Sequence, residues 1–287
     1  MNTLKPFFAM NQVQPDILIS YLKQRLLTGG EGTATAARAE TALADPFRCQ
    51  TMSNELCSTV RIRVLNFLIQ SAQQLEVPPI VKYSALSLFA ERFYPIISRF
   101  QQENTNSGHW LLQPVRESSL ELFSLIAIWI SSKIEDSRPL SVKKLKSVAG
   151  KRIEEQHYTT RDFADAEAIF MQVLDFEIGT SDIVYRFLED LLIQLKEVAT
   201  VGDHLDFQVC MDIMDLLYEN EQTSTLYNSP HSLAASILVA SYVITVPKQT
   251  WEFPILPWVK YGLACKEEEI VEVVRDILKH VLQPCLS

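Results

Sequence analysis

Glycine is scarce in this chain of 287 residues: there are 8 in all, and none lies between Thr33 and Ser107. Three of them, Gly29, Gly30 and Gly32, share one short stretch. With long segments of 3.6-residue periodicity beside that scarcity, the chain reads as all-α. Cysteine is sparse as well. Cys49, Cys57, Cys210, Cys265 and Cys285 are odd in number and contain no CxxC pair, the pattern of reduced thiols in an intracellular protein. An excess of positive charge is also missing. The 26 basic residues face 35 acidic ones, a net −9, which disfavours general nucleic-acid binding. No apolar run reaches the roughly 20 residues that span a bilayer. The longest, Leu122–Ile130 and Leu233–Val246, carry serines, and Met1-Asn2-Thr3-Leu4-Lys5-Pro6-Phe7-Phe8 lacks the apolar core of a signal peptide. The expectation is a soluble protein of the nucleus or cytoplasm, not secreted and not bound to a membrane.

Signals for catalysis, cofactors and metals are equally thin. Gly30-Glu31-Gly32-Thr33 lacks the third glycine of a dinucleotide fingerprint and follows a helical pattern rather than a strand. Gly150-Lys151 has neither the upstream glycine nor the following Ser/Thr of a P-loop. His109, His157, His204, His231 and His280 are scattered, with no two at ligand or triad spacing. No catalytic residue, metal site or cofactor is assigned, and the protein reads as a non-enzyme.

What the chain does contain is amphipathic helix. A first one is expected over about Pro15–Leu27, with Leu18, Tyr21, Leu22 and Arg25 in register, followed by a linker or frayed alanine-rich helix over Gly29–Asp45. Ser53 is a candidate N-cap for a helix to about Leu75, whose apolar face uses Val60, Val64, Phe67, Leu68 and Leu75. Pro78-Pro79 opens another, burying Tyr83, Leu86, Phe89, Ala90, Phe93 and Ile97. A polar loop surrounds Asn104–Gly108. A strongly apolar helix spans about Glu117–Glu135. Ser141 caps a short helix to Val148 that Gly150 ends. Thr159-Thr160-Arg161-Asp162 has the form of a capping box and opens a helix to about Phe176, with Gly179 just beyond. Further helices are expected near 182–196, 203–219, 231–245 and 267–281.

The two halves repeat weakly. At an offset of 113 residues, Ser119-Leu120 matches Ser232-Leu233, and Leu125-Ile126-Ala127-Ile128-Trp129 matches Leu238-Val239-Ala240-Ser241-Tyr242. The counterpart of Lys133 is Val246, so the copy keeps the apolar pattern and loses the charge.

Two charges sit where helices should bury carbon. At 100° per residue from Ile126, Leu122, Trp129, Ile130 and Lys133 all fall within about 60° of one direction. Glu167 lies between Phe163, Phe170 and Leu174 on another apolar face. An unpaired buried charge is costly, so each requires a partner: the other one, or a group on a second protein. Arg61 also lies on an apolar face and Glu91 flanks another, so the pair reads as an internal buttress. Arg138–Arg152 holds six basic residues (Arg138, Lys143, Lys144, Lys146, Lys151, Arg152) and no acid. Such a run is ordinarily a solvated helix face, with a partner contact or an import signal as the alternative.

Taken together, these residues resemble a cyclin. The order is Val60-Arg61-Ile62-Arg63-Val64-Leu65, then Glu91-Arg92-Phe93, then Leu122 through Ser132-Lys133-Ile134-Glu135-Asp136, then Tyr158-Thr159 and Glu167, closing on Leu174-Asp175-Phe176-Glu177-Ile178. This follows a first cyclin box over about 53–179 and is nearer to the divergent plant J-type members than to the mitotic A and B types. Departures include Glu91 for an aspartate, and a loop around Asn104–Gly108 that lengthens the spacing from Glu91 to Leu122. The resemblance implies an all-α fold of two consecutive five-helix boxes with an additional N-terminal helix: 1–52 helix and linker, 53–179 the first, kinase-binding box, 180–287 a second, degenerate box. It further implies a regulatory subunit that binds and activates a cyclin-dependent serine/threonine kinase in cell division, with kinase substrates as further partners. On that reading Lys133 and Glu167 contact the kinase, Arg61, Glu91 and Leu122 stabilise the box, and a substrate-docking patch falls on Val60, Val64 and Phe67. The alternative is a cyclin-fold scaffold in transcription that binds proteins or DNA.

Overall fold

The computed structural model describes residues 48–97, 110–112, 115–154, 156–179, 182–219, 229–246, 253–263 and 266–282. The helix expected over Pro15–Leu27, the linker after it and the loop around Asn104–Gly108 lie outside these residues. Among the described residues every regular element is helical.

Five helices make the first repeat. α1 (Arg48–Gln74) begins ahead of the Ser53 cap expected from sequence. It stops in a Schellman turn: Glu76 takes φ 53°, Val77 N–H donates to the Ala72 carbonyl at 3.2 Å and Glu76 N–H to that of Gln73 at 3.0 Å. α2 (Pro79–Leu86) has proline at its first position, where the missing N–H is no loss. It runs on as a π-helical segment, Ser87–Phe93, which carries Glu91 and Arg92.

α3 (Glu117–Glu135) is the centre of the repeat. From Ser118 to Ser132 every side chain except that of Glu121 is buried, and the helix packs on α2 and on the two helices that follow it. A helix apolar on all sides has to be surrounded by others. Two of its buried serines bond back to their own turn: Ser124 Oγ donates to the Glu121 carbonyl and Ser132 Oγ to that of Trp129, both at 2.7 Å, whereas Ser131 Oγ is buried with no partner among the described residues.

α4 (Val142–Arg152) runs through Gly150 instead of ending before it. A Cβ at Gly150 would meet open space, so nothing there requires a turn. The extra turn buries Ile153, whose N–H closes on the Ala149 carbonyl at 2.8 Å. α5 (Thr160–Val173) opens with the expected capping box: Thr159 Oγ1 accepts from Asp162 N–H and Asp162 Oδ2 from Thr159 N–H. It ends before Phe176, and the left-handed residues after it are Asp175 (φ 50°) and Phe176 (φ 61°) rather than Gly179. Phe93 joins three helices, stacking on Phe170 of α5 at 4.3 Å between ring centroids and tilting against Phe123 of α3 at 4.9 Å.

The second repeat has α6 (Val184–Val198), α7 (Phe207–Glu219), α8 (Pro230–Thr245), α9 (Ile255–Leu263) and α10 (Glu267–Leu282). A 3-10 turn, Thr200–His204, precedes α7, where one continuous helix from 203 was expected. It packs so closely on α6 that a Cβ on Gly202 would lie 2.8 Å from Lys196 Cα, which only glycine avoids. α9 was not foreseen, because Pro254 and Pro257 resemble loop residues. Both fall where a helix start has no N–H to lose. α8, like α3, is buried along its length from Ser232. Cys210 on α7 is fully buried, and burial pushes its thiol up to about 12, which makes it an inert core residue rather than a nucleophile.

Compact packing does not follow the repeat boundary. One unit comprises Ser58–Asp190 together with Leu217–Ala234, and the other includes Leu191–Leu216 and Ala235–Ser287.

Two stability predictions follow from this packing. Phe93→Ala should lose about 3–5 kcal/mol in urea unfolding, because the cavity would open among three helices. Glu76→Gly should gain about 0.5–1 kcal/mol, since glycine takes the left-handed angle without the steric cost.

Candidate functional site

The last turn of α3 is where the chemistry-bearing residues gather. Its orientation is set first. Trp129 Nε1 donates to the Leu140 carbonyl at 3.0 Å, and Leu140 N–H donates to Ser132 Oγ at 3.2 Å. Both backbone groups of Leu140 are therefore tied to α3. Asp136 Oδ1 accepts from the Arg138 N–H at 2.9 Å, which turns the chain just ahead of Pro139.

Three consecutive residues then diverge. Lys133 emerges from the apolar stripe with its side chain 39% exposed and reaches Glu167 of α5, Nζ to Oε1 2.5 Å, the carboxylate side chain being 18% exposed. The ammonium also lies over the Trp129 ring, 3.6 Å from its centroid, a cation–π contact. Each of the two charges is thus the other's partner. Ile134 beside them is 45% exposed. Glu135 turns inward: its side chain is 8% exposed, Arg186 of α6 pairs with it at 2.6 Å, and Ser84 Oγ donates to it at 3.4 Å. A carboxylate in the last turn opposes the helix dipole, so the Arg186 guanidinium compensates both the burial and the position.

Arg61 and Glu91 are joined through a third residue. Arg61 is buried, and its Nη1 donates to the backbone carbonyl of Tyr218 at 3.3 Å. The Tyr218 hydroxyl donates to Glu91 Oε1 at 2.7 Å, and Ser87 Oγ donates to the other carboxylate oxygen at 2.7 Å. The expected buttress is therefore a relay, not a direct ion pair. Leu122 is wholly buried in α3. Arg92 points its guanidinium at the strained turn after α5, donating to the carbonyls of Gly179, at 3.1 Å, and Glu177.

The three residues expected to form a docking patch do not share an exposed face. Val64 and Phe67 are buried, the Arg152 guanidinium covers the Phe67 ring at 5.1 Å, and Val60 is half-buried. The resemblance that implied the patch placed it on residues that the α1 periodicity assigns to the core-facing stripe. Sequence reasoning missed Tyr218 and Arg186, and gave Arg92 no role of its own. Tyr218 lies 157 residues from Arg61, and no local pattern connects the two. Arg186 could have been sought from the start, since Glu135 in an apolar helix calls for a cation.

Among the described residues no cluster of His, Cys, Asp and Glu is arranged to hold a metal ion, and no helix is long and apolar enough to cross a membrane.

Comparison with known proteins places this geometry. The profile of the cyclin N-terminal domain matches residues 36–179. Cyclin-J18 of Arabidopsis thaliana is 61% identical over 231 residues, spanning 80% of this chain and 98% of its own. A Cyclin-J18-like protein of Oryza sativa subsp. japonica is 50% identical over 229 residues, spanning 78% and 88%. A viral cyclin from herpesvirus saimiri shares the fold, with a TM-score of 0.58 over 78% of this chain and 85% of its own, at 15% identity. The chain belongs to the cyclin family. Within it, the likeness is to the divergent plant J-type cyclins.

Removing the cation from the inward pair should expose its cost. Arg186→Met is expected to lose about 2 kcal/mol in chemical denaturation, because Glu135 is left unpaired while largely buried. Adding Glu135→Met should recover part of that loss.

Proposed function

We propose that this chain is the regulatory subunit of a cyclin-dependent serine/threonine kinase, which it binds and activates in the control of cell division. Family membership supports a kinase partner in general terms. The observation that carries the reading here is the Lys133–Glu167 pair, held at the surface by two helices of the first repeat. A kinase-binding face requires polar groups that can enter an apolar interface without a large desolvation cost, and a neutral pair meets that better than a lone charge. Lys133 has three N–H donors, of which one is directed at Glu167, and the carboxylate has lone pairs beyond the one it uses. The pair can therefore stay intact while bonding backbone groups on a partner. Exposed Ile134 supplies apolar contact beside it.

On this reading the protein does no chemistry itself. Contacts made only with the active arrangement of the kinase's mobile helix shift that population, and the kinase transfers the phosphoryl group. Kinase substrates are the further partners, and the complex works in the nucleus, the cytoplasm or both.

The test is capture of a cyclin-dependent kinase from cell extract, followed by affinity measurement with the recovered kinase. Lys133→Ala is expected to weaken binding by about 2–5 kcal/mol, roughly 30- to several-thousand-fold. The exchange Lys133→Glu/Glu167→Lys keeps an internal ion pair but reverses its polarity, and should also lose the kinase. Wild-type binding by the exchanged protein would assign the pair to internal structure. Failure of the unmodified protein to recover any such kinase would overturn the functional reading itself.

A further inference from the structure

The exposed face of α4 is unlike the rest of this acidic protein. Lys143, Lys144, Lys146 and Lys151 are all exposed, and none of their ammonium groups makes an ion pair or hydrogen bond among the described residues. Most exposed lysines elsewhere among the described residues find carboxylates: Lys260 pairs with Glu267, Lys266 with Glu269 and Lys279 with Asp276, while Lys196 stands alone. At 100° per residue, Lys146 projects on one side of the α4 outer face and Lys144 and Lys151 on the other, with Lys143, Ser147 and Gly150 between them. Lys143 stands in the middle of the face at its first turn, whereas the last turn is low, since Gly150 has no side chain and nothing stands within 4 Å of where one would be. The result is a strip of four cations with a gap at its C-terminal end.

Helix stability does not account for this arrangement. Lys143 and Lys144 occupy the first turn, which holds no acid and receives no side-chain cap from Ser141. Cations there oppose the helix dipole. The inner face of α4 is already complete, with Leu145, Val148 and Ala149 buried. Arg152, which belongs to the same basic run, is used internally, bonding Gln70 and covering Phe67. The four lysines are left as a cationic surface that nothing in the described fold uses.

We propose that this face docks an extended acidic peptide segment, rich in Asp and Glu, of a protein partner. The choice between an acidic peptide and a nucleic acid rests on charge. A long polyanion lies across much of a protein surface and meets the net −9 of the whole chain. A short carboxylate-rich segment meets only the local field of four lysines, which the Debye length of about 10 Å at 0.1 M salt isolates from more distant carboxylates. The gap at Gly150 admits the peptide backbone, and the ammonium groups around it reach its side chains. This inference is independent of the kinase reading, because its test uses the free chain.

The experiment is fluorescence anisotropy with the full-length protein and a labelled peptide alternating glutamate and glycine. Controls are the same peptide with glutamine for glutamate and an oligothymidylate long enough to extend well beyond the α4 face. The glutamate peptide should bind, weaken as salt is raised, and exceed the glutamine peptide. The variant Lys143→Gln/Lys144→Gln/Lys146→Gln/Lys151→Gln should bind it about tenfold more weakly or worse. Its melting temperature should be no lower than wild type, since two of the changes relieve the first turn. Lys196→Gln/Lys260→Gln/Lys266→Gln/Lys279→Gln changes the net charge equally and should keep the peptide. Equal loss in that control, no preference over the glutamine peptide, or undiminished binding by the α4 variant would overturn the proposal. Tighter binding of the oligothymidylate would overturn it in favour of nucleic acid.

Discussion

The burial of α3 on nearly every side governs the rest of the first repeat. A helix with no solvent face has nowhere to place a charged side chain along its middle, so its charges collect at its ends. Glu117 at the start meets Arg63 of α1 at 2.6 Å, and Lys133 and Glu135 share the last turn. The surrounding helices are then fixed by what they must cover: α2 and α5 meet over α3 at the Phe93, Phe123 and Phe170 rings. Ser124 and Ser132 loosen no part of this, because the bonds their hydroxyls donate stay within their own turn. Ser132 also accepts from Leu140, so the residue that satisfies itself within the core anchors the loop leaving it.

That end of α3 separates two uses of charge within three residues. Glu135 is turned inward and held by Arg186, and works as structure. Lys133 is turned outward onto Glu167 and Trp129, and stays accessible. Residues two apart on a helix point about 200° apart, on nearly opposite sides, and the end of the core lies between these two directions. In the second repeat the same place is taken by buried Val246. The copy thus keeps the central helix and omits its polar terminus, which supports a division of labour between the repeats.

Much of this could be read from the amino acids. The helical class, the capping box at Thr159 and the apolar character of α3 follow from local pattern, which the fold respects because it is built from that pattern. Lys133 and Glu167 stood out as charges on apolar stripes, each requiring a partner, but local pattern left open whether that was the other one or a group on a second protein. What remained hidden depends on distant chain segments or on competition between local signals. Gly150 reads as a stop, yet burial of Ile153 outweighs it. Val64 and Phe67 read as a patch and as core at once, and packing decides for the core. The helix Ile255–Leu263 was concealed by two prolines, although the 113-residue repeat carries Val142, the first residue of α4, onto Ile255. The internal symmetry held information that local propensity contradicted.

Tyr218 has a bearing on how the molecule can be divided. It lies in the second half of the sequence, yet its carbonyl and hydroxyl serve Arg61 and Glu91 of the first, and Leu217–Ala234 packs with Ser58–Asp190 as one body. A fragment cut at the end of the first repeat would strand a buried guanidinium and remove the phenol from a carboxylate. The repeats are therefore not interchangeable cassettes. The second repeat is part of the foundation of the first, and a gene fusion or truncation that respects the sequence boundary would still cut through a folded unit.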